Sequence, residues 1–125
     1  MADFSDAMTV ATSGMKAQAA RLRHVSENIA NTDTPGYRRK QISFEDAVNG
    51  TVQAGDVSLD KTALPRIYDP TSPMADSSGH FQGSNVNLLV EIADAREAQR
   101  SYEANLKMFD QVRKMSTALM DLLRK

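Results

Sequence analysis

Apolar residues recur at steps of three and four over residues 4–31, which is the spacing of one face of an α-helix. The stripe consists of Phe4, Met8, Ala11, Met15, Ala19, Leu22, Val25 and Ile29. Small residues beside it, Ala17 and Ala20, would let a neighbouring helix approach closely. The pattern predicts an amphipathic helix that ends at Asn31, a residue tolerated as a helix C-terminal cap.

The same spacing returns over residues 87–123, with no Pro or Gly inside. This second stripe consists of Leu88, Ile92, Ala95, Tyr102, Leu106, Phe109, Val112, Met115, Leu119 and Leu122. Glu103 with Lys107 and Asp110 with Lys114 are spaced as stabilising helix pairs. At about 1.5 Å per residue the predicted helix is roughly 50 Å long, which is too long for the interior of so small a domain.

The middle of the chain, residues 34–86, contains all four prolines and five of the six glycines. Short β-prone runs flank Asn49-Gly50, a pair that favours a two-residue hairpin turn. The rest is rich in turn residues. The expected fold class is therefore mainly α: two long terminal helices paired as a coiled-coil-like module, with a turn-rich middle segment carrying a small β-hairpin.

The first helix leads into the stretch Thr34-Pro35-Gly36-Tyr37. Thr34 is pushed toward extended backbone by the proline that follows it. Pro35-Gly36 fits a type II turn, in which Gly supplies a positive φ. The stretch predicts a switch from helix to extended chain, in which Gly36 matters through its conformation.

Arg38, Arg39 and Lys40 follow this turn. One reading is a phosphate-binding patch, but nucleic-acid readers usually carry a larger basic surface. The favoured reading is solvated charges that meet an acidic neighbour in an assembly, with Arg39 a rim charge worth about 0–1 kcal/mol. On that basis, Gly36→Val is expected to be far more harmful than Arg39→Ala.

Two long helices side by side cover only part of each other's apolar surface. Ordering the chain costs roughly 1–2 kcal/mol per residue, which a single helix–helix contact cannot offset. Such stripes require further helices to cover them. The layout therefore predicts a component of an assembly, whose terminal helices become fully ordered among neighbouring subunits.

Composition excludes several functions. The 15 basic and 16 acidic residues nearly cancel, so no global field draws the chain to nucleic acid or an anionic membrane. Cysteine is absent, which excludes disulfides and thiolate metal sites. No apolar run approaches the roughly 20 residues of a membrane span. The start lacks the pattern of a cleavable signal peptide.

A search for catalytic chemistry gives no candidate. His24 and His80 are the only histidines and lack metal-ligand spacing. Glu91, Asp94 and Glu97 are interpreted as a solvated helix face, since nothing in the sequence indicates the burial that a general acid requires. We expect no enzyme activity, no cofactor, no metal, no small-molecule substrate and no nucleic-acid partner.

The chain also resembles a known family. "SGMKAQAARLRHVSENIANTDTPGYRRKQISFE" is similar to the N-terminal segment of the bacterial flagellar axial proteins, and "EIADAREAQRSYEANLKMFDQVRKMSTALMDLLRK" to their C-terminal helix. The segment "YDPTSPMADSSGHFQGSNVN" resembles the middle of the proximal rod subunits of the FlgC type. The motif residues are Asn28, Ala30, Asn31, Thr34, Pro35, Gly36, Tyr37, Arg100, Tyr102, Ala104, Asn105 and Leu106.

The resemblance implies a structural subunit of the proximal rod, the drive shaft that carries torque from the membrane ring to the distal rod and hook. It implies an inner helical domain formed by residues 1–33 and 87–125, with residues 34–86 outside it. Implied partners are copies of itself, other rod proteins, membrane-ring and distal-rod components, and the flagellar type III export apparatus, which delivers such subunits uncleaved to the periplasm. The alternatives are another short rod subunit of the family or a helical adaptor or secretion chaperone.

Overall fold

A computed structural model describes residues 2–124 and contains two long helices at the ends of the chain. Helix α1 covers Ala2–Ala30 and helix α2 covers Leu88–Arg124. Four strands lie between them: β1 (Lys40–Asp46), β2 (Val52–Leu59), β3 (Arg66–Tyr68) and β4 (His80–Gln82). The helices predicted over 4–31 and 87–123 are confirmed to within two residues at each described end. Met1 and Lys125 lie outside the described residues.

The strands form two antiparallel hairpins, β1 with β2 and β3 with β4. The first is the hairpin predicted at Asn49-Gly50, but its loop has three residues, 48–50, instead of two, because the N–H of Ala47 donates to the carbonyl of Thr51 at 2.8 Å. Asn49 has φ 60° and Gly50 has φ 77°, the positive values that make Asn-Gly the favoured pair at such a turn. The second hairpin was not predicted, because its strands are only three residues long and the eleven residues between them read as loop.

Helices α1 and α2 pack antiparallel. Asn28 near the end of α1 contacts Glu91 near the start of α2, and Gly14 contacts Asn105 farther along. The interface is built from small and polar side chains. A Cβ atom added to Gly14 would lie 2.8 Å from the side chain of Asn105, so glycine permits this close approach.

Most of the apolar stripe predicted on α2 is not covered by α1. Val112 lies in the core, but Leu106 is 48% exposed and Met115 is 51% exposed. Within one chain Leu106 is therefore not covered by α1. The buried residues of α2 are Glu91, Ala98 and Val112, so α1 covers a narrower and more polar face than the apolar spacing indicated.

Helix α1 is also covered by the first hairpin. The backbone N–H of Val52 donates to the hydroxyl of Ser13 at 3.0 Å, which holds strand β2 against the helix. Two alanines of α1, Ala11 and Ala17, are almost fully buried, at 2% and 3% exposure. Their small size lets both neighbours approach the helix closely.

The stretch after α1 forms the predicted turn. The N–H of Tyr37 donates to the carbonyl of Thr34 at 3.2 Å, and Gly36 has φ 76°. Pro35 and Gly36 thus occupy the central positions of a turn that requires a positive φ at its second centre, as in type II. The N–H of Gly36 donates to the carbonyl of Gln82 at 3.0 Å, which attaches the turn to strand β4.

We predict that Gly36→Val destabilises the monomer by about 1–3 kcal/mol through backbone strain. No atom lies within 4 Å of the position a Cβ would take, so a steric clash does not contribute. Gly36→Asn is the matched control, because Asn tolerates the left-handed region. Urea denaturation followed by circular dichroism measures both. Equal losses for the two variants would show that conformation is not what Gly36 supplies.

Candidate assembly interface

The side chain of Asn28 joins α1 to residues 37–40, which follow the turn after the helix. Asn28 is 0% exposed. Its Oδ1 accepts from the backbone N–H of Lys40 at 2.9 Å and from the hydroxyl of Tyr37 at 2.8 Å. Its Nδ2 donates to the carbonyl of Lys40 at 3.0 Å and to Glu91 Oε2 at 3.2 Å. One amide therefore pairs with the first residue of β1 and reaches α2 at the same time.

Glu91 is the second fully buried polar side chain, also at 0% exposure. Its Oε2 accepts from Asn28 and its Oε1 accepts from Nε of Arg39. A buried carboxylate is tolerated only where it is paired and hydrogen-bonded, and both conditions hold here. Glu91 thereby connects α2 both to α1 and to residues 37–40, which we call the exit segment because they follow the turn after α1.

Arg39 extends the network on two further sides. Its Nη2 donates to Asp94 Oδ2 at 2.8 Å, and Nη1 lies 3.8 Å from Asp60 Oδ2. Its backbone N–H donates to the side-chain oxygen of Asn85 at 2.6 Å, and Asn85 Nδ2 donates to the carbonyl of Asp60 at 2.9 Å. The chain after β2 and the chain before α2 are thus joined to the same centre. We call Asn28, Tyr37, Arg39, Asn85 and Glu91 the Asn28 cluster.

Neighbouring charges support the cluster. Lys40 Nζ lies 2.7 Å from Glu27 Oε2, and this hydrogen bond lowers the pKa of Glu27 and raises the pKa of Lys40. The hydroxyl of Thr62 lowers the pKa of the Asp60 carboxyl, with smaller contributions from Arg39 and Arg38. Both carboxylates are therefore stabilised as anions beside the basic residues 38–40.

Two interpretations from the sequence are wrong at this place. Arg38, Arg39 and Lys40 were expected to be solvated, yet the side chain of Arg39 is only 14% exposed and its partners lie in the same chain. Glu91 and Asp94 were interpreted as a solvated face, and Glu91 is instead fully buried. Helical periodicity shows which residues share a face but not which charged partner will cover it.

The remaining predicted motif residues divide into two groups. Asn31 completes the end of α1, with Nδ2 donating to the carbonyl of Glu27 at 2.8 Å and Oδ1 accepting from the hydroxyl of Thr34 at 3.0 Å. Ala30, Thr34, Pro35 and Gly36 are exposed around this end. The sequence predicted a turn at these residues but not their position beside the Asn28 cluster. The roles of Asn85 and Glu91 were not predicted.

The C-terminal motif lies elsewhere. Asn105 faces Gly14, which is about 20 Å along α1 from Asn28 at 1.5 Å per residue. Arg100, Tyr102, Ala104 and Leu106 are exposed on α2. The structure therefore does not bring the two motifs together within one chain.

Helix α2 carries a large exposed apolar surface. Its exposed apolar residues include Leu89, Ile92, Tyr102, Leu106, Met108, Met115, Leu119, Met120, Leu122 and Leu123. They extend along nearly the whole helix. A helix with this many exposed large apolar side chains is typical of an interaction site.

The histidines show no arrangement for chemistry. His24 lies on α1, where its Nδ1 is buried without a hydrogen bond and lies 3.8 Å from Glu27 Oε2. His80 lies in the second hairpin beside the ring of Tyr68. Within residues 2–124 there is no group of three or more His, Asp or Glu side chains that could hold a metal ion. Over the same range, no helix is long and apolar enough to cross a membrane.

We predict that Arg39→Ala lowers the free energy of unfolding by about 3–5 kcal/mol, because it leaves the buried Glu91 carboxylate without its charged partner. This reverses the ranking expected from the sequence: Arg39→Ala should be at least as harmful as Gly36→Val. The control is Arg113→Ala, which removes an exposed pair with Asp110 and should cost about 0–1 kcal/mol. Denaturation of both variants in urea provides the comparison, and equal small losses would show that Glu91 does not depend on Arg39.

Two family models match the chain. The model described as flagella basal body rod protein matches residues 8–38, which include most of α1 and the exit turn. The model described as flagellar basal body rod FlgEFG protein C-terminal matches residues 77–122, which include β4 and most of α2.

Curated relatives match over nearly the full length. The flagellar basal-body rod protein FlgC of Agrobacterium fabrum is 43% identical, with 99% of this chain and 98% of the relative covered. FlgC of Escherichia coli O6:H1 is 31% identical over 90% of this chain and 92% of the relative. FlgC of Borreliella burgdorferi is 31% identical over 94% and 95%. The chain therefore belongs to the FlgC family of flagellar basal-body rod proteins.

Proposed function

We propose that this chain is a structural subunit of the proximal rod of the bacterial flagellar basal body. In this role it assembles helically into the drive shaft that transmits torque from the membrane ring to the distal rod and hook. One observation carries the proposal beyond the family: α2 keeps its large apolar residues exposed while a smaller, more polar face packs on α1. Such a helix requires other subunits to cover it.

The proposed subunit has two parts. Residues 1–33 and 87–125 form the inner helical domain, and residues 34–86 lie outside it. Coiled-coil-like pairing within the inner domain is supported by the spacing of contacts on α2. Glu91, Ala98 and Val112 are buried and Asn105 contacts Gly14, so these four positions are separated by sevens. A seven-residue repeat keeps one face toward a partner helix.

Its proposed partners are copies of itself, other rod proteins, and components of the membrane ring and distal rod. The flagellar type III export apparatus would deliver the chain to the periplasmic part of the basal body. The names of the FlgC relatives support assembly in the basal body. The exposed apolar face supports extensive contact with neighbours, since charged residues alone would give only weak association.

The direct test is a strain that lacks the gene and is complemented with a tagged copy. The proposal expects restored swimming and the tagged chain in purified hook–basal bodies, in a fraction that retains the rod. Swimming restored without the chain in the rod would support a helical adaptor or secretion chaperone instead. An adaptor would also fold and dimerise stably when purified.

We predict that Leu106→Asp prevents rod assembly and leaves folding and export nearly unchanged. In the monomer Leu106 is 48% exposed, so a surface effect within about 0.5 kcal/mol on unfolding is expected. In an assembly the carboxylate would be desolvated without a partner, at a cost of several kcal/mol.

Gln111→Asp is the matched control for this variant, because it places the same residue at an exposed polar position of α2. The measurements are the yield of hook–basal bodies, swimming, and the amount of chain exported. Normal rods with Leu106→Asp would show that this part of α2 is not an assembly contact.

We further predict that the terminal helices of the dilute monomer are weakly protected from amide hydrogen exchange. The reason is that each helix has few buried apolar contacts for its length. The assembled rod should show strong protection over residues 4–31 and 87–123. Uniform strong protection in the monomer would contradict the idea that neighbouring subunits supply the missing contacts.

A further inference from the structure

Helix α2 extends beyond the start of α1. The two helices have 29 and 37 residues and are nearly flush where Asn28 meets Glu91. At the other end, Ala2 lies about twelve residues before Gly14, which places it near Thr117 on α2. Residues 118–124 therefore project past α1 by about 10 Å, or two helical turns. We call these residues the projecting segment.

The projecting segment is apolar with one acidic residue in the middle. Leu122 and Leu123 are 67% and 74% exposed, and Leu119 and Met120 are 38% and 47% exposed. Asp121 lies among them. Within residues 2–124 the carboxylate of Asp121 forms no salt bridge, although Asp110 on the same helix pairs with both Arg113 and Lys114.

A groove of suitable chemistry lies on the same molecule. Its volume is about 580 Å³, and its walls are the first half of α1, residues 52–54 of β2 and the side chain of Phe109. Its lining is mainly apolar or small, with Met8, Ala17 and Val52 among the contacts and Lys16 as its one charged residue. In the described chain, Lys16 has no carboxylate partner within salt-bridge distance.

We propose that the projecting segment of one copy occupies this groove on a neighbouring copy, with Asp121 facing Lys16. The proposal rests on the proposed function, since it names the contact by which copies follow one another. The segment and the groove are complementary, because each has apolar residues around one charge and the two charges have opposite sign. The opposite end of α2 also carries exposed leucines, Leu88 and Leu89, but the acidic residue beside them, Glu91, is buried in the Asn28 cluster. Of the two ends of α2 as described, only the projecting segment therefore offers a free carboxylate to Lys16.

The contact cannot form within one chain. The groove is lined by Thr9 and Ser13, which the pairing of Gly14 with Asn105 places level with about residue 108 of α2, whereas the centre of the projecting segment is Asp121. That separation is roughly 20 Å along the helix axis. A neighbouring copy shifted by about this distance brings segment and groove together. The contact joins two different surfaces, so a row of copies linked in this way keeps a free projecting segment at one end and a free groove at the other. Further copies can therefore be added at either end.

Cysteine cross-linking tests this in assembled rods, since the chain has no native cysteine. Thr9→Cys places a thiol in the groove, and Leu122→Cys places one on the projecting segment. A disulfide needs Cα atoms within about 7 Å, so these two thiols cannot react within one chain. The double variant, oxidised in purified hook–basal bodies, is expected to give a ladder of dimers, trimers and higher multimers.

The control replaces Leu122→Cys by Leu89→Cys, which is 80% exposed at the opposite end of α2, and should give no ladder. Dimers alone would indicate a closed reciprocal contact and overturn the proposed arrangement. Cross-links only to another rod protein would overturn the choice of a second copy. Rods that contain the chain without either cross-link would refute the contact and leave the proposed function standing, whereas absence of the unmodified chain from rods would refute the function.

Charge exchange provides a second measurement. Lys16→Glu or Asp121→Lys alone should lower cross-linking by up to about fivefold, the range of an exposed ion pair. The two changes together should restore it, because the pair is re-formed with reversed sign. Additive losses in the combined variant would show that Lys16 and Asp121 do not face each other.

Discussion

The burial of Glu91 is the constraint on which the rest of the structure depends. A carboxylate removed from water requires a cation and further hydrogen-bond donors, and here they come from the exit segment and from α1. Arg39 and Asn28 can reach Glu91 together only if the chain turns back sharply after α1. The turn at Pro35-Gly36 provides that reversal. This polar contact therefore ties α1, β1 and α2 together at one end of the helix pair, while the approach of Gly14 to Asn105 sets their distance farther along.

This polar centre also explains why the residues of α2 that contact α1 differ from those that remain exposed. The face toward α1 is small and polar, with Glu91, Ala98 and Asn105, which gives a defined register but buries little apolar area. Other positions of the helix keep large apolar residues such as Leu106 and Met115 exposed. Specificity within the chain thus comes from hydrogen bonds, and the hydrophobic contribution remains available for contacts between chains. The hydrogen bonds set the register of the two helices, and neighbouring subunits supply the apolar contacts that the single chain lacks.

Much of the fold could be predicted from the sequence because it is local. Apolar spacing identified both helices, and the special backbone needs of Gly36 and Asn49 identified two turns. The contacts between distant parts of the chain could not be predicted from the sequence in this way. The spacing that includes Leu106 was correct for a helix, but nothing in it says whether a chain or its neighbour covers the stripe. Glu91 was misread because burial of a charge depends on Arg39, a residue 52 positions away.

The Asn28 cluster transmits position between the helices and the middle segment. Asn28 pairs with both the N–H and the carbonyl of Lys40, the register partner of Leu59, so its amide satisfies both backbone groups of the first residue of β1. The direction of the β1–β2 hairpin is thereby tied to the last turns of α1. In a helical assembly each subunit repeats this geometry, so a small change in angle at Asn28 recurs at every subunit and accumulates along the rod. A buried, fully hydrogen-bonded amide suits that position, because its partners leave it one orientation rather than several.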